Sequence, residues 1–205
     1  DRIEPYYQPI ISNAGKMYRF EALARLITKD GEALPAHEFI SVAGETGLIE
    51  KVDDIILDKV CQALGQWQDS GHPLRGSINI TSSEVKPTLY EKVISKLNEY
   101  HISPDMICLE ITENMFFDSK TQAIETMKKL RTEGVRFSID DFGVGRSSLF
   151  RLHSLPIDEI KIDKSFANFT DKESNTNRSI IKAALEIANA KNVDLVVEGV
   201  ENRSA

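Results

Sequence analysis

The feature that most constrains this chain is an alternation repeated inside its short apolar runs. Seven segments read as strands: PYYQPII, MYRFEALARL, GSINIT, MICLEIT, VRFSIDD, DEIKID and VDLVVEGV. GSINIT sets Ser77, Asn79 and Thr81 against Ile78 and Ile80, and MICLEIT sets Cys108, Glu110 and Thr112 against Ile107, Leu109 and Ile111. RFSIDD sets Ser138 and Asp140 against Phe137 and Ile139. EIKID sets Glu159, Lys161 and Asp163 against Ile160 and Ile162, and in DLVVEG Glu198 opposes Val197. Successive side chains of a strand point to opposite faces, so each of these strands has one apolar and one polar face.

Amphipathic stretches lie between most of the strands. Val52, Ile55, Ile56, Val60, Leu64 and Trp67 recur at helical spacing, as do Ala123, Ile124, Met127 and Leu130, and then Ile180, Ile181, Ala184, Leu185 and Ala188. Gly134 sits where a helix C-cap is expected. Strands alternating with helices predict an α/β fold with a parallel sheet, either a barrel or a doubly wound sheet. The first two strands depart from that rule. Only the turn Asn13–Gly15 separates them, which leaves no room for a crossover, so they are expected to pair antiparallel.

If helices cover the outside, the apolar faces meet the helices and the polar faces point into the barrel. Barrel interiors are normally filled with branched apolar side chains. Here they would hold Glu21, Glu110, Glu113, Asp140, Asp141 and Glu198 toward the C-terminal strand ends, where barrel enzymes keep their active sites. One reading is a buried ion-pair network with Lys161 and Arg25 as counter-charges. The other is a site for hard divalent cations, because two basic groups leave a large negative excess. All-oxygen ligands suit magnesium, manganese or calcium. The adjacent acids Asp140 and Asp141 could reach two ions. Zinc fits less well, since His37, His72, His101 and His153 lack ligand spacing. The DFG triplet at Asp141–Gly143 has neither a Gly-rich phosphate loop nor an HRD run beside it, which argues against a kinase.

Composition narrows the partners. The formal net charge of −7 disfavours a DNA or RNA polymer, although a bound cation would still admit a small phosphate ligand. Two cysteines, Cys61 and Cys108, do not make a disulfide framework and fit a reducing compartment. No apolar run is long enough to span a bilayer, and the start DRIEPYYQP carries no signal-peptide pattern. The expected setting is a cytoplasmic domain, with a parent protein that could itself be membrane-attached.

Eight motifs in order then carry a family resemblance: YQP, FEALARL, a helix reading EFISVAGETGLIE, NIT, LEITEN, DDFGVGRSSL, LPIDEIKIDKSF and VEGVE. With these the sequence resembles the EAL domains of bacterial cyclic di-GMP signalling, from about Tyr7 to Glu201. The resemblance implies a TIM-like (β/α) barrel with an antiparallel strand near the N-terminus. It also implies metal-dependent hydrolysis of cyclic di-GMP to linear pGpG, using Mg2+ or Mn2+ and two ions. Carried over by position, Glu21, Asn79, Glu110 and Asp140 are first ligands, and Asp141 and Glu198 complete a second metal site. Lys161 contacts the attacking water or a phosphoryl oxygen. Glu113 braces the loop Phe142–Ser148. Gln8 and Arg25 hold the dinucleotide, with Leu23 lining its pocket.

The loop carries Val144 and Arg146 where the family usually has Thr and an aromatic residue, and Gly44 stands where relatives carry an acid. Residues 1–205 are expected to form one EAL domain whose last family strand lies beyond Ala205, leaving the barrel unclosed. A homodimer is implied, as is a longer parent bearing a sensor or GGDEF domain. A catalytically inactive module that binds cyclic di-GMP is the alternative. The residues themselves do not choose among phosphodiesters, so substrate identity rests on the resemblance.

Overall fold

The computed structural model describes residues 2–112, 121–144, 152, 154–167 and 174–200. The chain opens with β1 (Ile3–Ile11) and β2 (Met17–Ile27), antiparallel as the short turn requires. The turn is closed by Gly15 at φ 73°, whose N–H donates to the Ser12 carbonyl at 2.8 Å. A short β3 (Ala33–Pro35), which the sequence pattern does not announce, pairs antiparallel with the end of β2.

Helices α1 (Ala36–Glu45) and α2 (Ile49–Asp69) then carry the chain to β4 (Arg75–Asn79), parallel to β2. The continuous helix expected over EFISVAGETGLIE is in fact two. Gly47 takes φ 71°, and the Leu48 N–H reaches back to the Ala43 carbonyl at 2.7 Å, a Schellman-type stop. The succession continues with α3 (Pro87–Glu99), β5 (Ile107–Thr112), α4 (Thr121–Glu133), β6 (Arg136–Phe142), β7 (Glu159–Ile162), α5 (Ser174–Lys191) and β8 (Asp194–Val197).

The sheet runs β1-β2-β4-β5-β6-β7-β8, with β3 as a side branch and every pair from β2–β4 onward parallel. β2 and β7 are four steps apart in that order. On a flat sheet, steps of about 4.8 Å would separate them by about 19 Å. Yet Lys161 on β7 lies 2.9 Å from Glu21 on β2. The sheet therefore curls into a barrel wall, open between β1 and β8 among the described residues.

Curling sorts the alternating faces as expected. Ile78, Leu109, Ile111, Phe137, Ile139, Ile160 and Ile162 are buried on the outer face, in one core with Val60, Leu64, Val93, Leu97, Met127, Leu130 and Ala184 from the helices. Each such side chain contributes on the order of 1.5–3 kcal/mol by leaving water. Gly76 leaves room for Phe20, whose ring would stand 2.8 Å from any Cβ added there. Tyr7, Phe20 and Trp67 meet edge to face, with centroids 4.7–5.1 Å apart, and clamp the first hairpin onto α2. The inner face is polar: Arg19, Ser77, Glu110, Ser138, Glu159 and Lys161 are all buried there. Cys61 and Cys108 are free, and burial raises both thiols, Cys61 to about 12.

Candidate active site

At the C-terminal ends of the parallel strands, four carboxylates converge on one ammonium and a fifth stands alongside. Glu21 comes from β2, Glu110 from β5, Asp140 and Asp141 from β6, and Glu198 follows β8. Lys161 rises from β7 with 1% side-chain exposure. Its Nζ lies 2.7 Å from Glu110 Oε2, 2.7 Å from Glu198 Oε1, 2.9 Å from Glu21 Oε2 and 3.1 Å from Asp140 Oδ1. Asn79, at the end of β4, donates from Nδ2 to Glu21 Oε1 at 2.9 Å and so fixes that carboxylate from the other side.

Adjacent residues of a regular strand face opposite ways, so Asp140 and Asp141 need a break to act together. The break is present. Asp141 adopts φ 55°, and the β6–β7 register shifts between Ile139 and Phe142. Gly143 follows at φ 100°, where a Cβ would stand 2.9 Å from the Phe166 ring. The result is two overlapping groups of oxygens, each within 4.8 Å of one another: Glu21, Glu110 and Asp140, and Asp140, Asp141 and Glu198.

The electrostatics show how crowded this is. Burial pushes the Glu110 carboxyl up to about 8, with Lys161 opposing the rise and Glu21 and Asp140 adding to it. Burial likewise raises Glu198, against the pull of Lys161. Partial burial, with Asp140 alongside, raises Asp141. Burial works against the Lys161 ammonium, but Glu110, Asp140, Glu21 and Glu198 outweigh it and hold its pKa above the ordinary lysine value. Glu110 Oε1 and Asp140 Oδ1 are buried and accept no hydrogen bond among the described residues. Asp140 Oδ1 still has the Lys161 ammonium at 3.1 Å, but Glu110 Oε1 is an orphaned acceptor, costly unless a cation serves it. An all-oxygen donor set with an unserved buried oxygen fits hard divalent ions, and two of them with Lys161 would balance the five carboxylates.

The remaining expected residues fall as follows. Gln8 pairs in register with Glu21 across the hairpin and is exposed, and Leu23 lines the cavity beside the acids. Arg25 is on the same face but is not a counter-charge to the cluster. Its guanidinium donates to the Ala24 carbonyl at 3.0 Å and sits over the Tyr6 ring, 5.5 Å from the centroid. Half-buried and in none of the ion pairs among the described residues, it rests on that ring. Glu113, Arg146 and His153 lie outside the described residues. Val144 is exposed, and nothing stands within 4 Å of a Cβ added at Gly44.

A cavity of about 1110 Å³ extends from the acids between α1, α2 and the segment after β4. Several of its lining residues were not expected, among them Asp53, His37 and Lys86. Asp53 Oδ2 accepts the Thr81 N–H at 3.0 Å, two residues beyond Asn79. Burial pushes the Asp53 carboxyl up to about 6, the Thr81 hydrogen bond opposing. A signal for it exists: Asp53 falls beside Val52, Ile56 and Val60 on the apolar stripe of α2, where an acid is out of place.

The EAL domain profile matches residues 1–205. Signaling protein YkoW of Bacillus subtilis is 37% identical over 204 residues, covering 98% of this chain and 25% of that protein. The probable cyclic di-GMP phosphodiesterase PdeB of Escherichia coli is 38% identical, over 96% of this chain and 37% of its own length. The chain thus spans a quarter to somewhat over a third of these relatives. Among solved structures, a PaMucR phosphodiesterase in complex with c-di-GMP superposes with a TM-score of 0.91 at 30% identity, covering 99% of this chain and 83% of that one. No helix among the described residues is long and apolar enough to cross a membrane.

Proposed function

The chain belongs to the EAL domain family, and on that premise we propose that it hydrolyses cyclic di-GMP to linear pGpG with divalent metal ions. The observation that carries this reading is the cluster of four carboxylates around Lys161, with Asp141 alongside and the buried Glu110 Oε1 left unserved. Glu21, Asn79, Glu110 and Asp140 would hold one Mg2+ or Mn2+, and Asp140, Asp141 and Glu198 a second. Bound ions would supply acidified water and offset charge on the phosphoryl oxygens.

The chain's own groups do the rest. Asn79 orients Glu21 by its hydrogen bond, and the left-handed turn at Asp141 swings that carboxylate to the same side as Asp140. Lys161 sets a positive charge where negative charge develops on a phosphoryl oxygen. Leu23 and Gln8 on the cavity rim would contact the dinucleotide, and Arg25 would leave Tyr6 to meet a phosphate with its planar fork. Glu113 would brace the loop after the aspartate pair. A 5′-phosphate on the product means that water oxygen bonds to phosphorus, the P–O3′ bond breaks and the 3′ oxygen leaves with a proton. We further propose that residues 1–205 are the EAL domain of a longer signalling protein that works as a homodimer.

The test is to incubate the protein with cyclic di-GMP and Mg2+ or Mn2+ and to follow pGpG by chromatography. Turnover should vanish in EDTA and in Glu21→Ala. Tight binding of intact dinucleotide without product would replace this reading by that of a receptor.

A further inference from the structure

Lys161 touches more carboxylates than it can serve. An ammonium carries three hydrogens, yet four carboxylates lie within 3.1 Å of its nitrogen. The four are not an arbitrary set. Glu21, Glu110 and Asp140 make up one of the two oxygen groups able to hold an ion, and Asp140 and Glu198 belong to the other. Nζ therefore touches carboxylates of both groups at once. Its side chain is 1% exposed, so in this arrangement the charge stays in the cluster and is not shared with water.

We propose that Lys161 is an internal stand-in for a divalent ion, so that metal loading is an exchange in which its ammonium gives up carboxylate oxygens to the incoming ion. The inference rests on the metal-dependent reading above and adds a competition to it. A single positive charge is a weaker neutraliser than a divalent ion for so many carboxylates, so the ion wins when present. When it is absent, the ammonium keeps the acids from repelling one another apart. The same lysine thus holds the barrel end together without metal and lowers the apparent metal affinity.

The test compares the wild type with Lys161→Met in Mn2+ titration calorimetry at low ionic strength and in thermal melting with and without EDTA. Removing the competitor should tighten Mn2+ binding by at least about tenfold. In EDTA the variant should melt below the wild type, and saturating Mn2+ should close that gap. Equal or weaker Mn2+ binding by the variant, with the wild type binding normally, overturns the stand-in role while leaving the metal site intact. If neither protein binds Mn2+, the metal reading falls and this inference with it. Should Lys161→Met fail to fold in EDTA, the wild type alone supplies a second reading. Acylation of Lys161, followed by mass spectrometry, should rise several-fold on adding Mn2+ as the amine is displaced, and unchanged or reduced labelling overturns the proposal.

Discussion

Two buried ionic clusters share the interior of this barrel, and they differ in charge ratio. Deeper in the wall, Arg19 donates from Nη2 to both oxygens of Glu159, 2.6 Å to Oε2, with both side chains nearly inaccessible. Toward the C-terminal strand ends, Lys161 faces Glu21, Glu110, Asp140 and Glu198 with Asp141 alongside. The first cluster is matched one to one, and its two partners join β2 to β7 across the barrel. The second has more acids than its one ammonium can match, an excess that protons or added cations must offset. Burial alone therefore does not mark a functional site in this fold. The excess of one sign does.

Breaking the matched pair should produce the largest effect on stability. Arg19→Met leaves Glu159 buried without its cation, at a cost of about 3–5 kcal/mol. Urea unfolding would show it as a lower midpoint. The double variant Arg19→Met/Glu159→Leu, which removes both charges, should recover most of that loss. Metal-supported turnover per folded molecule should change little in either. A turnover loss as large as the stability loss would mean that the two clusters are not separable.

The mismatched cluster should respond in the opposite sense. Glu110→Gln takes away one of the acids crowding Lys161 and spares the barrel a carboxylate whose charge burial already disfavours. Its metal-free stability should stay within about 1 kcal/mol of the wild type. Turnover of cyclic di-GMP should fall by at least about a hundredfold, since even residues that only support metal ligands cost 10–100-fold. Calorimetry with Mn2+ separates lost metal from lost chemistry. Full activity in Glu110→Gln would strike out the metal role of that residue.

Much of this contrast is legible in the sequence, because it rests on periodicity. Alternation in EIKID places Glu159 and Lys161 on one face, and the three-residue turn settles the first hairpin before any tertiary contact is known. What the sequence hides are choices made by neighbours in space. Glu159 reads there as one more interior acid, and only the curl of the sheet brings Arg19 to it. Arg25 looks like a counter-charge until the hairpin register sets Tyr6 beside it. The stripe Leu89, Tyr90, Val93, Ile94 and Leu97 of α3, by contrast, is at helical spacing and is legible in the sequence. The break at Gly47 depends on a backbone φ above zero, which a glycine permits but does not announce.

Asp53 is the intermediate case, an acid that none of the ion pairs among the described residues includes, and it sharpens the contrast at smaller amplitude. Its folded pKa of about 6 lies above the ordinary aspartate value of 3.8, with burial as the main cause. The sign follows directly: the folded state holds its proton more tightly than the unfolded chain does. Folding is therefore favoured as pH falls from about 6 toward 4, and the penalty for the charged form is full above that window. Asp53→Asn removes the penalty while keeping an oxygen that can accept the Thr81 N–H. It should raise stability at pH 8 by about 1–2 kcal/mol and flatten the stability profile between pH 4 and 6. Urea midpoints at pH 5 and pH 8 for the two proteins measure both effects. A variant that is destabilised equally at both values would show that Asp53 is neutralised by a partner beyond Thr81, which would place it with the matched pair instead.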